Sequence, residues 1–340
     1  MPDHSVCSSL RSEQPPLLKK PQEEGTSISL LSFPRMRIVL LGTSSAVPTL
    51  TRGLSSTAVV RDGDVFLFDC GEGTQIQLMR AGVKRSRIHS IFIGHMHGDH
   101  LYGIAGLLST MHLDGREEAL NVFGPEGIRP YLSASFRNSD LQQFSFKLNV
   151  QEFPRGYRGR VVEGEDFYVD ALPLDHSIFC LGWRLQEKTK PGTFNLEVAE
   201  SLGIPRGPLY GKLQHGESIT LANGRTITPE MVLGPERPGK SVVYCLDTQF
   251  TERSVELADH CTALIHETTF GPDAADMARE RKHSTMEDAA RVAKEAACDR
   301  LIATHFSSRY DGRQIRQIAD AARGVFENIT LGRDLLEIEI

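Results

Sequence analysis

Apolar residues in this chain fall into short runs, each closed by glycine or a polar turn, and several are followed by a stretch of helical period. Met36-Arg37-Ile38-Val39-Leu40-Leu41-Gly42 predicts a strand, as does Val65-Phe66-Leu67-Phe68-Asp69. Cys70-Gly71-Glu72-Gly73-Thr74 is a glycine-rich turn into a helix near 75–80. Ile91-Phe92-Ile93-Gly94 predicts a buried strand, and 101–111 a helix whose Gly103 and Gly106 would allow close packing on a sheet. Strands follow at Asn121-Val122-Phe123 and 168–174. The second half repeats the arrangement, with strands at 242–246, 263–265 and 301–303 and helices at 251–257 and 285–297. Two halves rich in βα units predict an α/β protein of two sheets covered on their outer faces by helices. Residues 1–35 hold Pro15-Pro16 and Lys19-Lys20-Pro21 without a sustained period, which predicts a mobile extension. The folded domain is expected at 36–340, and Met36 at its head is also a candidate start.

The chemistry concentrates where predicted strands end. His95-Met96-His97-Gly98-Asp99-His100 directly follows the apolar run at 91–94, where open α/β sheets place their ligands. A lone histidine there would be a surface residue; three imidazoles and a carboxylate within six positions are a ligand set for zinc-like ions, with enough donors for two. His176, Asp247, His266 and His305 each follow another predicted strand, and His283 precedes a helix. Seven of the twelve histidines thus lie in this loop, at strand ends or at a helix start, as the rim of one metal pocket would require.

Composition narrows the class. With 340 residues, 40% hydrophobic and 24% charged, the chain can bury a substantial core. Six cysteines without C-x-x-C spacing are expected to be free thiols in a reducing cytoplasm. No apolar run approaches membrane-spanning length, and the N-terminus lacks a signal-peptide pattern. A net charge of −6 offers no global attraction to nucleic acid, so such a partner would need local basic patches.

The His-rich loop resembles the signature of the metallo-β-lactamase fold, a four-layer αβ/βα sandwich. Further motifs resemble ribonuclease Z, in the family's order from about residue 36 to the C-terminus: Leu41-Gly42-Thr43-Ser44-Ser45-Ala46-Val47-Pro48-Thr49, Phe68-Asp69-Cys70-Gly71-Glu72-Gly73-Thr74-Gln75, His266-Glu267-Thr268-Thr269-Phe270, His283-Ser284-Thr285 and Thr304-His305-Phe306-Ser307-Ser308-Arg309-Tyr310. The resemblance implies a short-form endoribonuclease that removes 3′ trailers from precursor tRNA. It would do so by in-line attack of a hydroxide activated by two metals, leaving a 3′-hydroxyl on the tRNA. One metal would take His95, His97 and His176, the other Asp99, His100 and His305, with Asp247 bridging. Zinc is the expected ion and manganese the other candidate.

By the same resemblance, Asp99 orients or deprotonates the attacking water, His266 assisted by Glu267 protonates the leaving oxygen, and His283 contacts phosphate or leaving group. Asp69 is expected to orient a ligand. The segment 188–212 resembles the family's flexible arm, a protruding exosite with a Gly-Pro tip. Lys188, Lys190, Arg206, Gly207, Pro208 and Lys212 on it, with Arg309 elsewhere, would meet tRNA. Of two other basic clusters, Arg80, Lys84, Arg85 and Arg87 leads into the metal loop and is the better candidate to serve RNA than Arg155, Arg158 and Arg160. A cytoplasmic homodimer with no membrane contact is implied. The competing class is a small-molecule hydrolase on the same fold, a phosphodiesterase, lactonase or thioesterase; the arm and the His266-Glu267 and Ser307-Ser308-Arg309-Tyr310 motifs argue against it.

Overall fold

The computed structural model describes residues 36–137 and 143–340, so the expected N-terminal extension lies outside the described residues. The chain opens with an antiparallel meander of β1 (Met36–Gly42), β2 (Ser56–Arg61) and β3 (Asp64–Phe68). Helix α1 (Thr74–Arg80) leads to β4 (Ile88–Phe92), and α2 (Gly98–Leu101) with α3 (Ile104–Leu113) to β5 (Leu120–Pro125). Helix α4 (Ile128–Phe136) then precedes β6 (Leu148–Phe153). A second antiparallel meander follows, of β7 (Gly159–Glu163), β8 (Phe167–Pro173) and β9 (Leu181–Glu187).

After β9 an excursion carries α5 (Leu196–Ser201), α6 (Pro208–Gln214) and a two-stranded hairpin of β10 (Ile219–Thr220) and β11 (Thr226–Ile227). The chain returns through β12 (Ser241–Cys245), α7 (Glu252–Ala258) and β13 (Ala263–Glu267). It continues through α8 (Ala275–Arg281), α9 (Met286–Glu295), β14 (Leu301–Thr304), α10 (Gly312–Ala322) and β15 (Ile329–Leu331). The last strand, β16 (Leu336–Glu339), crosses back to pair with β1.

Among the described residues these strands form two seven-stranded sheets, ordered β16-β1-β2-β3-β4-β5-β6 and β15-β14-β13-β12-β9-β8-β7. Strand alternation sorts their side chains into three cores. Phe68, Phe92, Phe123, Trp183 and Tyr244 fill the space between the sheets, with Phe92 5.1 Å from both Phe68 and Phe123 and 5.3 Å from Trp183. Leu78, Leu107, Leu108 and Met111 seal α1 and α3 onto the outer face of the first sheet. Leu257, Ala289, Ala290, Ile315 and Ala319 seal α7, α9 and α10 onto the outer face of the second. The layering is the four-layer αβ/βα sandwich expected.

The expected helix over 101–111 is two helices. At Gly103 the backbone comes so close to the turn at Gly71 that a Cβ would lie 2.1 Å from the Gly71 carbonyl oxygen. A side chain there is excluded, and the break between α2 and α3 sits at that contact.

The arm expected at 188–212 is the first part of a longer excursion, which runs to residue 240. Its root is an antiparallel ribbon that pairs Lys190 with Arg237 and Phe194 with Leu233. Beyond the root, Ala199, Ile204, Leu213, Ile219, Ile227 and Val232 form a small core of their own. The Gly207-Pro208 pair starts α6 instead of tipping a hairpin, because the proline, lacking an N–H, suits the first helical position.

Arg61 binds the two sheets to the arm root. From β2 it reaches Glu187 at the end of β9 (Nε–Oε1 3.1 Å) and also pairs with Asp166. The other oxygen of Glu187 accepts from Lys190 Nζ at 2.7 Å and from the Lys240 amide at 3.1 Å. The side chains of Arg61 and Glu187 are only 6% and 1% exposed. Removing one member strands a charge in the interior. Arg61→Ala should therefore cost about 3–5 kcal/mol in urea unfolding, whereas Arg37→Ala, which breaks an exposed pair with Glu337, should cost at most about 1 kcal/mol. Equal losses would show that the buried cluster does not hold the sheets together.

Candidate metal centre

Strand ends of both sheets meet along one rim, and the candidate residues meet there. Asp69 leaves β3, the His-rich loop leaves β4, His176 follows β8, Asp247 follows β12, Glu267 ends β13 and His305 follows β14. Gly94 allows the approach of the two sheets, since a Cβ on it would stand 2.9 Å from the Leu246 carbonyl oxygen.

Donor atoms of His95, His97, His176 and Asp247 lie within 4.8 Å of one another, as do those of Asp99, His100 and His305. His97 Nδ1 is 3.0 Å from His95 Nε2 and 3.3 Å from His176 Nε2. Asp247 stands between the groups. Its Oδ2 is 3.5 Å from His100 Nε2 and 3.8 Å from His95 Nε2, and its Oδ1 is 3.2 Å from His305 Nε2. Asp99 Oδ2 accepts the Ala46 amide at 2.9 Å and faces His100 Nε2 at 3.4 Å and His305 Nε2 at 3.6 Å.

Outer partners set the tautomers. His100 donates from Nδ1 to Asp69 Oδ2 at 2.6 Å, His176 from Nδ1 to the Lys282 carbonyl at 3.0 Å, and His305 from Nδ1 to Thr269 Oγ1 at 2.9 Å. Thr269 can accept because its own proton goes to Glu267 Oε2 at 2.6 Å. All three rings therefore turn an Nε2 lone pair toward the cluster, the arrangement a cation needs. Among the described residues, His100 Nε2, His305 Nε2 and Asp247 Oδ1 are buried without a hydrogen-bond partner. Buried polar atoms are normally satisfied, and these point at one another's ligand atoms. The donor set fits divalent metal.

Charge supports that fit. Burial lowers the pKa of His95 well below the ordinary value and also lowers that of His97, keeping both rings in the neutral ligating form. Burial also opposes charge on His100, but Asp247, Asp69 and Asp99 around it lift its pKa well above the ordinary value. Three carboxylates enclosed together draw a positive charge into the cluster.

His266 is not in this cluster. Its register partners in the parallel sheet, Cys245 and Ala303, belong to the core under the outer helices, and its ring shares that face. It is fully buried, and burial lowers its pKa. The structure corrects the expectation that Glu267 assists His266. Glu267 points the other way and accepts His283 Nδ1 at 2.9 Å, the Thr248 amide at 2.7 Å and the Ser284 amide at 3.0 Å. His283 comes within 3.9 Å of Asp247 and keeps partial exposure. Burial works against its charge, yet Glu267 beside it pushes its pKa up to about 9.

The expected RNA contacts are dispersed. Lys188 pairs with Glu163 at 2.6 Å, Lys190 with Glu187 at 2.7 Å, and Arg206 with Glu200. Lys212 is exposed on α6, beyond Gly207 and Pro208. Arg309 is exposed too, with its guanidinium 5.3 Å from the Phe270 ring centroid. In the two other basic clusters Arg85 pairs with Asp114, Arg87 with Asp64, Arg158 with Glu256, and Arg160 with Asp170 and Glu163. Most of this charge is locally neutralised. The Ala46 amide, Thr269, the Lys282 carbonyl and Tyr244 escape sequence reasoning, because nothing in their own type or spacing announces a metal.

A family model described as "Anti-Pycsar protein Apyc1" matches residues 36–153. A ribonuclease Z of Cyanothece sp. is 44% identical over 310 residues, covering 90% of this chain and 96% of that protein. Among solved structures, human tRNase Z, short form, shares 27% identity with a TM-score of 0.66, covering 89% of this chain and 98% of that one. The metallo-beta-lactamase fold protein YhfI of Bacillus subtilis, at 16% identity and a TM-score of 0.64, covers 90% of this chain and all of its own and shares the fold.

Stripping divalent metal with a chelator should lower Tm, and zinc should restore it. At free metal 100–1,000 times Kd the stabilisation is about 2.7–4.1 kcal/mol per site. A Tm indifferent to chelator and to added metal would contradict a metal centre.

Proposed function

The chain belongs to the ribonuclease Z family, and from that premise we propose how its residues divide the work of cutting precursor tRNA. It is a tRNA 3′-processing endoribonuclease of metallo-β-lactamase fold that depends on divalent metal. The observation that carries the reading of the site is the set of inward-turned, unpartnered ligand atoms between Asp99 and Asp247.

His95, His97 and His176 would hold one ion and Asp99, His100 and His305 the other, with Asp247 shared. Imidazole-rich donors favour zinc, and manganese is the alternative that metal analysis would separate. Two such ions lower the pKa of water and stabilise charge on both oxygens of an in-line displacement. Asp99, anchored by the Ala46 amide, orients the attacking water and takes its proton. The bond from phosphorus to the 3′-oxygen breaks, the phosphate stays with the trailer, and the 3′-oxygen needs a proton. His283 supplies it. Its contact with Glu267 favours the protonated ring and fixes its direction. His266 takes no part in the chemistry.

The 188–240 excursion is the tRNA-gripping arm, with Arg206, Gly207, Pro208 and Lys212 beyond its root and Arg309 nearer the site. Lys188 and Lys190 serve at the root, where their carboxylate partners hold them. The protein acts as a homodimer, a reading supported by exposed Ile76 and Met79 on α1 and exposed Tyr102 beside the metal loop. Among the described residues no helix is long and apolar enough to cross a membrane, and the buried free thiols suit a reducing cytoplasm.

The decisive experiment incubates metal-loaded protein with a 3′-extended precursor tRNA and maps the cut; a single cut at the 3′ side of the acceptor stem is expected, and an uncut precursor would refute the reading. His283→Ala should slow single-turnover cleavage by about 10²–10⁴-fold, the usual worth of general acid catalysis. His266→Gln, if folded, should cost far less, and the reverse order would return the role to His266. Replacing 195–232 with a short Gly-Ser turn keeps both pairs of the ribbon root. It should abolish tight tRNA binding while leaving hydrolysis of bis(p-nitrophenyl) phosphate nearly unchanged, since remote binding energy alone is lost. The salt dependence of tRNA affinity should flatten by about one unit per lost phosphate contact. Equal loss on both substrates would place the arm in the core or at a subunit interface.

A further inference from the structure

Tyr244 lies on β12, three positions before Asp247, with its side chain fully buried between the sheets. A tyrosine in a dry core must find a partner for its hydroxyl. Here the partner is Asp69, a residue of the opposite sheet's rim: Tyr244 Oη donates to Asp69 Oδ2 at 2.9 Å. The same oxygen accepts His100 Nδ1 at 2.6 Å, while Asp69 Oδ1 accepts the Gly94 amide at 2.8 Å. Asp69 itself sits at a positive φ of 56°, a conformation that a non-glycine residue holds only when its surroundings impose it.

These contacts define the direction of one ring. His100 can present Nε2 to Asp99 and Asp247 only while its Nδ1 proton lies on Asp69. Asp69 in turn is fixed by a donor on each oxygen. One of those donors comes from the metal loop's own strand end, through Gly94. The other comes from the second sheet, through Tyr244. Strand β12 therefore reaches the cluster twice, directly through Asp247 and indirectly through Tyr244, Asp69 and His100. Among the described residues no hydrogen bond joins Tyr244 or the Asp69 carboxylate to the ring of His95 or His97.

We propose that Tyr244 is a positioning residue for the half of the centre formed by Asp99, His100 and His305, making assembly of that half depend on correct docking of the two sheets. The inference rests on the metal reading above. Loss of the hydroxyl leaves Asp69 with one fewer restraint and His100 with a looser direction. Outer contacts of this kind are typically worth about 10–100-fold in metal affinity. A phenyl ring fills nearly the same space, so the packing against Phe68, 5.5 Å away between centroids, is kept.

The test is chelator competition on zinc-loaded Tyr244→Phe and on the wild type. One of the two ions should bind about 10–100-fold more weakly in the variant and the other with unchanged affinity. On precursor tRNA, kcat should fall at limiting zinc, with KM unchanged, and recover with excess zinc. In an Asp69→Asn background the substitution should add little, because its effect runs through that carboxylate. Unchanged affinity for both ions, or equal weakening of both, would overturn the inference. Should Tyr244→Phe fail to fold, the hydroxyl proton resonance of Tyr244 in the intact protein provides the reading. It should shift when the second ion binds and not when the first does, and the absence of that difference would overturn the inference as well. A wild type that held no second ion would overturn the metal reading and this inference together; a wild type with two ions and an indifferent Tyr244→Phe overturns this inference alone.

Discussion

A buried carboxylate tolerates no vacancy of positive charge around it, and Asp247 is the residue on which this constraint falls hardest. It is almost fully enclosed, with imidazole nitrogens on several sides and one oxygen without a hydrogen bond. His95 and His97, held neutral by burial, bring it no charge, and the nearby Asp99 offers it another negative one. Such a group is costly inside a protein unless a cation balances it. The arrangement around it follows from that need. Outer hydrogen bonds spend the Nδ1 protons of His100, His176 and His305 on Asp69, Lys282 and Thr269, leaving the opposite nitrogens facing inward. The fold's contribution is to bring the ends of strands from both sheets to one rim, so that no single segment carries the site.

The placement of two histidines illustrates how strand parity governs which side chains meet. His266 and Glu267 are neighbours in sequence, but successive residues of a strand point to opposite faces. One ring is therefore sealed beneath the outer helices while the adjacent carboxylate faces the cluster. The imidazole that Glu267 contacts arrives from the start of α9, held by a backbone bond from its amide to the Ala278 carbonyl at 2.8 Å. The chain departs here from the simplest reading of its own motif, in which adjacent His and Glu act together.

Basic residues show the same dependence on context. Lys190 appears in sequence as part of a basic run leading into the arm, yet its ammonium closes a buried network with Glu187 and Arg61. Arg85, Arg87, Arg158 and Arg160 each face a carboxylate. A charge run in sequence gives the sign of the side chains and not their partners.

Much of this protein was legible in one dimension. The apolar runs located the strands that matter, and the motifs at their ends picked out His95, His97, Asp99, His100, His176, Asp247 and His305, which the fold gathers at one rim. Helix boundaries were less legible: the break at Gly103 depends on its contact with Gly71, a residue far away in sequence. The arm's true extent depends on a ribbon pairing residues some forty positions apart, which no local period encodes. That Glu267 meets His283 and not the His266 ring required knowing which face of β13 lies against helices. Tyr244 reads as an ordinary core aromatic until the sheets are stacked. Sequence determined the elements and the donor types, since both depend on local pattern and residue chemistry; the tertiary structure alone decided which donors meet, because a hydrogen bond between opposite sheets has no signature along the chain.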